Sequence, residues 1–169
     1  MWKKKLNPEN IFIANGSEAI ICALPRLFIG QKGNTVIPSL TFPMFKTCSL
    51  LAGLEVKSIS ITKDLGIDLK AMKKRVDKKT KIVFLCNPNN PTGSILSKNE
   101  IIDFLNSLSK DVLLVIDEAN FEFGGESVVS EVGKRDNLIV LRTFSKGFGL
   151  ASLRVGFMVA SKELVNKLE

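Results

Sequence analysis

The chain has 169 residues, a formal net charge of +7, 45% hydrophobic and 24% charged residues, and neither histidine nor tyrosine. That length and composition fit one soluble globular domain with a substantial core. The missing residue types exclude His-based triads, His-metal sites and tyrosine acids, leaving Lys, Asp, Glu or Cys for proton transfer. No run of 18 apolar residues is present, so no membrane span is expected. The basic start Met1-Trp2-Lys3-Lys4-Lys5 leads into no apolar stretch and is not read as a secretory signal. Cys22, Cys48 and Cys86 fit no metal spacing and are expected to be reduced, mostly buried thiols of a cytoplasmic protein. The lysines between 70 and 81 read as a solvated helix face and the turn after it. Charge alone is a weak argument for nucleic-acid binding, and none is expected.

In chain order the sequence predicts helix 17–28, strand 35–38, helix 43–51, strand 56–61 and helix 69–75. Strand 81–86, helix 98–107, strand 113–117, strand 138–142, strand 155–160 and helix 162–168 follow. Ser97 and Glu100 have the spacing of a capping box at the head of helix 98–107. The runs Ile82-Val83-Phe84-Leu85 and Val112-Leu113-Leu114-Val115-Ile116 are apolar at every position, the pattern of strands buried on both faces. The expected fold is α/β, with three layers and a mainly parallel sheet covered by helices on both faces.

Polar residues just past strand ends are the first place to look for a site in such folds. Four segments qualify. Asn15-Gly16-Ser17-Glu18 opens a helix, where backbone amides bind an anion or Ser17 simply caps the end. Asn87-Pro88-Asn89-Asn90-Pro91-Thr92-Gly93 follows a buried strand as a rigid turn, able to hold an amide in one orientation. Asp117-Glu118 ends another buried strand and needs a cation, either from a ligand or from an arginine. In Arg142-Thr143-Phe144-Ser145-Lys146-Gly147, Lys146 sits among phenylalanines and glycines that favour a nucleophilic amine. Thr143, Ser145 and Arg154 add the hydroxyls and fixed cation that suit a phosphate.

Taken together, Cys86 to Gly93, Asp117-Glu118-Ala119 and Arg142 to Lys146, followed by Gly149-Leu150-Ala151 and Leu153-Arg154-Val155-Gly156, resemble the fold-type I aminotransferases. Within them, the closest resemblance is to the histidinol-phosphate aminotransferases. The resemblance runs from about Asn7 onward and implies pyridoxal 5'-phosphate as cofactor. It makes Lys146 the catalytic residue that carries the cofactor covalently, and Asp117 the partner of the pyridine nitrogen. Asn90 would bond the ring oxygen, and Phe42 would stack on the ring. Thr143, Ser145, Arg154 and the amides of Gly16, Ser17 and Glu18 would hold the phosphate. It further implies an amino donor and a 2-oxo acid as substrates, a homodimer, and amino-group transfer from histidinol phosphate to 2-oxoglutarate. A phospho-amino-acid decarboxylase of the same fold, or a non-catalytic cofactor-binding fragment, are the other readings.

Two positions depart from the family. Asn120 stands where a tyrosine usually donates to the ring oxygen; its amide is shorter but can donate. Ser152 stands where glycine is usual. Family members are also longer. The resemblance implies that residues 1–169 are a partial large domain. On the same resemblance, most of the N-terminal segment, and the small C-terminal domain whose arginine grips the substrate carboxylate, are expected to lie outside these residues.

Overall fold

Seven strands form one sheet in the order β1-β7-β6-β5-β4-β2-β3 in a computed structural model, which describes residues 6–169. The strands are β1 (Ile11–Asn15), β2 (Asn34–Pro38), β3 (Glu55–Ile59), β4 (Thr80–Cys86), β5 (Leu113–Asp117), β6 (Leu138–Thr143) and β7 (Val155–Val159). The run from β3 to β6 is parallel, and β7 is antiparallel to both β6 and β1. Every residue of β2, β5 and β6 is buried. For β5, and for Ile82 to Leu85 of β4, which are buried as well, that is what uninterrupted apolar runs require of strands covered on both faces. The reading of the basic start concerns residues outside those described.

Among the described residues five α-helices cover the sheet: α1 (Ser17–Arg26), α2 (Met44–Leu51), α3 (Leu69–Arg75), α4 (Lys98–Ser107) and α5 (Lys162–Asn166). Side chains alternate across the strands, so the sheet feeds two cores. Val83, Leu85, Leu114, Ile116, Leu138 and Val140 pack with Met72 of α3 and Ile101, Phe104 and Leu105 of α4. Ile82, Phe84, Val115, Ile139 and Leu141 pack on the other face with α1, α2 and α5, through Ile20, Ile21, Leu24, Phe45 and Leu164. Three layers result, as expected. Phe45 lies flat on Phe84 with centroids 4.7 Å apart, so α2 is fastened to the centre of the sheet by an aromatic stack.

Local chemistry sets the helix ends. The Ser97–Glu100 capping box forms, and Asp68 and Ser161 cap α3 and α5. Lys70, Lys73 and Lys74 lie exposed along α3, with Lys78 and Lys79 exposed in the turn that follows. Two expectations differ. The helix expected to reach residue 28 ends at Arg26, after Pro25, whose ring and missing N–H do not support a continuing helix. β1 was not expected. It is a short edge strand with Ile13 and Asn15 exposed and no residue fully buried, so its burial pattern is poor and it is recruited by pairing with β7.

The cysteine expectation is also corrected. Cys22 of α1 and Cys48 of α2 are joined as a disulfide, with Cα atoms 4.9 Å apart, because the two helices lie side by side on one face. Cys86 alone is a free, buried thiol. Among the described residues no helix is long and apolar enough to cross a membrane, and no cluster of metal-ligating side chains occurs.

Candidate functional site

The C-terminal ends of β4, β5 and β6 open onto one cavity of about 250 Å³. Gly16, Ser17, Glu18, Phe42, Asn90, Asp117, Asn120, Thr143, Ser145, Lys146 and Arg154 all line it, together with Cys86, Ala119 and Ala151. Every site residue singled out in the sequence therefore faces a common space. They come from five places in the chain, brought together because adjacent parallel strands end at the same edge of the sheet.

One end of the cavity suits an anion. Gly16 is the N-cap of α1 and no side chain caps the helix, so Ser17 is not the cap that its type suggested. The first amides of α1 therefore point outward without a side-chain acceptor at the cap, with the positive end of the helix dipole behind them. Arg154 faces the same corner: a Cβ on Gly16 would lie 2.6 Å from Arg154 Nη2. Arg154 itself has a left-handed backbone, φ 52°, a conformation that costs roughly 1–2 kcal/mol outside glycine. The Thr143 hydroxyl accepts from the Ser145 amide at 3.1 Å and donates weakly to the Val155 carbonyl. It thereby shapes the turn that presents Ser145 and Lys146.

The same lining includes a carboxylate. Asp117 is 3% exposed and accepts from the Ala119 amide at 3.0 Å. Burial pushes its carboxyl up to about 6, and the nearby Lys146 ammonium opposes that rise. The adjacent Glu118 is fully buried and pairs with Arg142 at 2.8 Å. Of the two partners considered for this acidic pair, the arginine thus serves Glu118, and Asp117 is left facing the cavity. Burial pushes the Cys86 thiol up as well, so Cys86 is a neutral part of the wall.

An aromatic ring, Phe42, and two amides, Asn90 and Asn120, also line the cavity. Phe42 packs edge-on against Phe45, centroids 5.7 Å apart, and so rests on the Phe45–Phe84 stack. Asn89, buried beside Asn90, donates to the Leu40 carbonyl at 3.0 Å and accepts from Thr41 Oγ1 at 2.8 Å. This residue was not singled out, although it lies inside the motif; it ties the turn bearing Asn90 to the segment bearing Phe42. Asn87 closes the turn with two bonds to Leu96. Lys146 is exposed at the mouth of the cavity and Phe148 is 55% exposed, so the apolar enclosure expected around the lysine is not formed by these residues. Ser152 is exposed.

Comparison with known proteins identifies the family and the fold. The family model for class I and II aminotransferases matches residues 2–169. A histidinol-phosphate aminotransferase from Bacillus pumilus (strain SAFR-032) is 40% identical over 98% of this chain, which corresponds to 46% of the relative. The chain thus spans about half the length of the curated relatives it matches. A histidinol-phosphate aminotransferase from Sinorhizobium meliloti, solved with pyridoxal-5'-phosphate, superposes with a TM-score of 0.85 at 28% identity, covering 95% of this chain and 44% of that one. L-threonine-O-3-phosphate decarboxylase from Porphyromonas gingivalis superposes with a TM-score of 0.81 at 25% identity, covering 96% of this chain and 48% of that one. The chain belongs to the class I and II aminotransferases.

Proposed function

We propose that this chain is the cofactor-binding part of a pyridoxal-phosphate-dependent aminotransferase that moves the amino group of histidinol phosphate to 2-oxoglutarate. The observation that carries the reading is the single cavity lined both by an anion-receptive corner at α1 and by a buried carboxylate, Asp117. That pairing of charges fits a phosphorylated pyridine.

The residues divide the work by position. The Ser17 and Glu18 amides, Ser145 and Arg154 hold the phosphate, with Thr143 shaping their turn. Phe42 covers one face of the ring. Asp117 keeps a negative charge beside the pyridine nitrogen; a cation there offsets the burial that raises its pKa. Asn90 and Asn120 donate toward the ring oxygen. Bound here, pyridoxal phosphate supplies an electron sink for charge developing at the substrate α-carbon. Lys146 holds the cofactor through its amine and, once released, moves the proton at that carbon. The proposed assembly is a cytoplasmic homodimer.

The decarboxylase reading is favoured by the likeness to the P. gingivalis enzyme, since the cofactor residues serve either reaction. The first test is addition of pyridoxal phosphate, borohydride reduction and peptide mass analysis. Attachment at Lys146, lost in Lys146→Ala, supports the cofactor reading; a folded chain without attachment refutes it. Glutamate formation from histidinol phosphate and 2-oxoglutarate supports transamination, whereas carbon dioxide release from a phosphorylated amino acid supports the decarboxylase.

A further inference from the structure

Arg142 is a buried cation that the chemistry above leaves unused. It stands on β6 just ahead of the turn that carries Lys146, with its side chain 7% exposed. Nε donates to Glu118 Oε2 at 2.8 Å and Nη1 donates to Glu122 Oε1 at 3.1 Å. The guanidinium lies over the Phe121 ring, 3.8 Å from its centroid. Glu118 also accepts from the Val128 amide and the Ser127 hydroxyl. One guanidinium therefore grips the segment leaving β5 at its root, Glu118, and along the short 3-10 turn Phe121–Phe123. Asn120 lies between those holds.

The grip reaches the lysine as well. A Cβ built on Gly147 would lie 2.5 Å from Glu122 Cβ and 2.8 Å from its Cγ. The Glu122 side chain thus packs directly on the residue after Lys146, and only glycine leaves room for it. Burying the Glu118 carboxylate beside a cation is costly unless each bond is made. Arginine suits the task because its planar fork bonds two carboxylates and stacks on a ring at once, which a lysine ammonium does not.

We propose that Arg142, acting through Glu122, is a positioning residue that fixes where Lys146 stands relative to Asn120. This rests on the reading of Lys146 as the cofactor-bearing residue. Its consequence is specific. Loosening the clamp slows covalent attachment at Lys146, while phosphate recognition at α1 and Arg154 is untouched.

Glu122 is the place to test this, because its side chain is a quarter exposed and Glu118 keeps Arg142 paired when Glu122 is changed. Glu122→Ala removes the acceptor and the packing on Gly147, whereas Glu122→Gln keeps an amide oxygen for Arg142 and nearly the same shape. Two quantities are measured for each chain. One is the rate of borohydride-trappable attachment of pyridoxal phosphate. The other is the Kd of pyridoxine 5'-phosphate, which lacks the aldehyde and binds without a covalent step. The expected result is attachment slowed about tenfold or more in Glu122→Ala, restored in Glu122→Gln, with pyridoxine phosphate affinity close to parental in both. Parental attachment in Glu122→Ala overturns the inference. So does equal weakening of attachment and of pyridoxine phosphate binding, which marks a general loss of structure. A parent chain that forms no adduct removes the cofactor reading and this inference together; a parent that does, beside an indifferent Glu122→Ala, removes this inference alone.

Discussion

Gly16 and Arg154 meet at the head of α1 so closely that a methyl group on the first would lie 2.6 Å from the guanidinium of the second. Gly16 also has φ 82°, which an L side chain adopts at a cost. Gly16→Ala should therefore lower stability by roughly 1–2 kcal/mol and push Arg154 away from the anion corner. A thermal melt and an absorbance titration with pyridoxal phosphate check both effects. Affinity is expected to fall about tenfold, the equivalent of 1.4 kcal/mol.

Arg154 should distinguish phosphorylated from unphosphorylated ligand. In Arg154→Gln, affinity for pyridoxal phosphate should drop about tenfold, the lower part of the range for bonds to charged groups because Arg154 is exposed. Affinity for pyridoxal, which lacks the phosphate, should change little. Equal losses for the two ligands would place the phosphate elsewhere.

Asp117 makes stability depend on pH in the ligand-free chain. Its folded carboxyl titrates near about 6 against an ordinary value of 3.8, chiefly because it is buried. An acid whose pKa is raised binds its proton more tightly when folded. Its contribution is fully present below the ordinary value and is lost as pH rises through the folded one, about 3 kcal/mol for a shift of this size. Urea unfolding between pH 4 and 7 should show the parent chain losing stability that Asp117→Asn retains. Parallel curves would contradict the burial seen here.

Asn89→Ala should cost stability and cofactor affinity together. The buried amide bonds the Leu40 carbonyl, the Thr41 hydroxyl and Thr92 Oγ1, and stranding those groups costs about 1–3 kcal/mol. Because the same bonds hold Phe42 near Asn90, pyridoxal phosphate should bind more weakly, with a smaller loss in Asn89→Asp, which keeps the acceptor for Thr41.

The sheet interior was legible because β4 and β5 are apolar at nearly every position, a pattern few other structures require. The strand-end residues were legible because their types are costly where they stand: a carboxylate closing a buried strand, a lysine after another. The rest depended on pairings that no local pattern encodes. β1 reads poorly because an edge strand exposes Ile13. Arg142 was noted only as a neighbour of Lys146, since nothing in its own segment names Glu118 or Glu122. Asn89 looked equivalent to Asn90 until the loop bearing Leu40 was laid beside it. The Cys22–Cys48 link depends on two helices lying side by side, which spacing along the chain does not reveal.

The sheet order also fixes how far the chain must travel to complete each half of the cavity. Asn90, Asp117 and Lys146 follow three neighbouring strands that succeed one another through single parallel crossovers, so short loop closures assemble them. The anion corner joins α1 to β7, beside a β1–β7 pairing flanked by a bond between Asn10 and Ala160, 150 residues apart. Its formation brings together segments about 150 residues apart, and each doubling of loop length adds only about 0.6 kcal/mol to the entropic cost but delays the encounter. The ring-binding half is a local product of the chain; the grip on the phosphate registers that the entire sheet has closed.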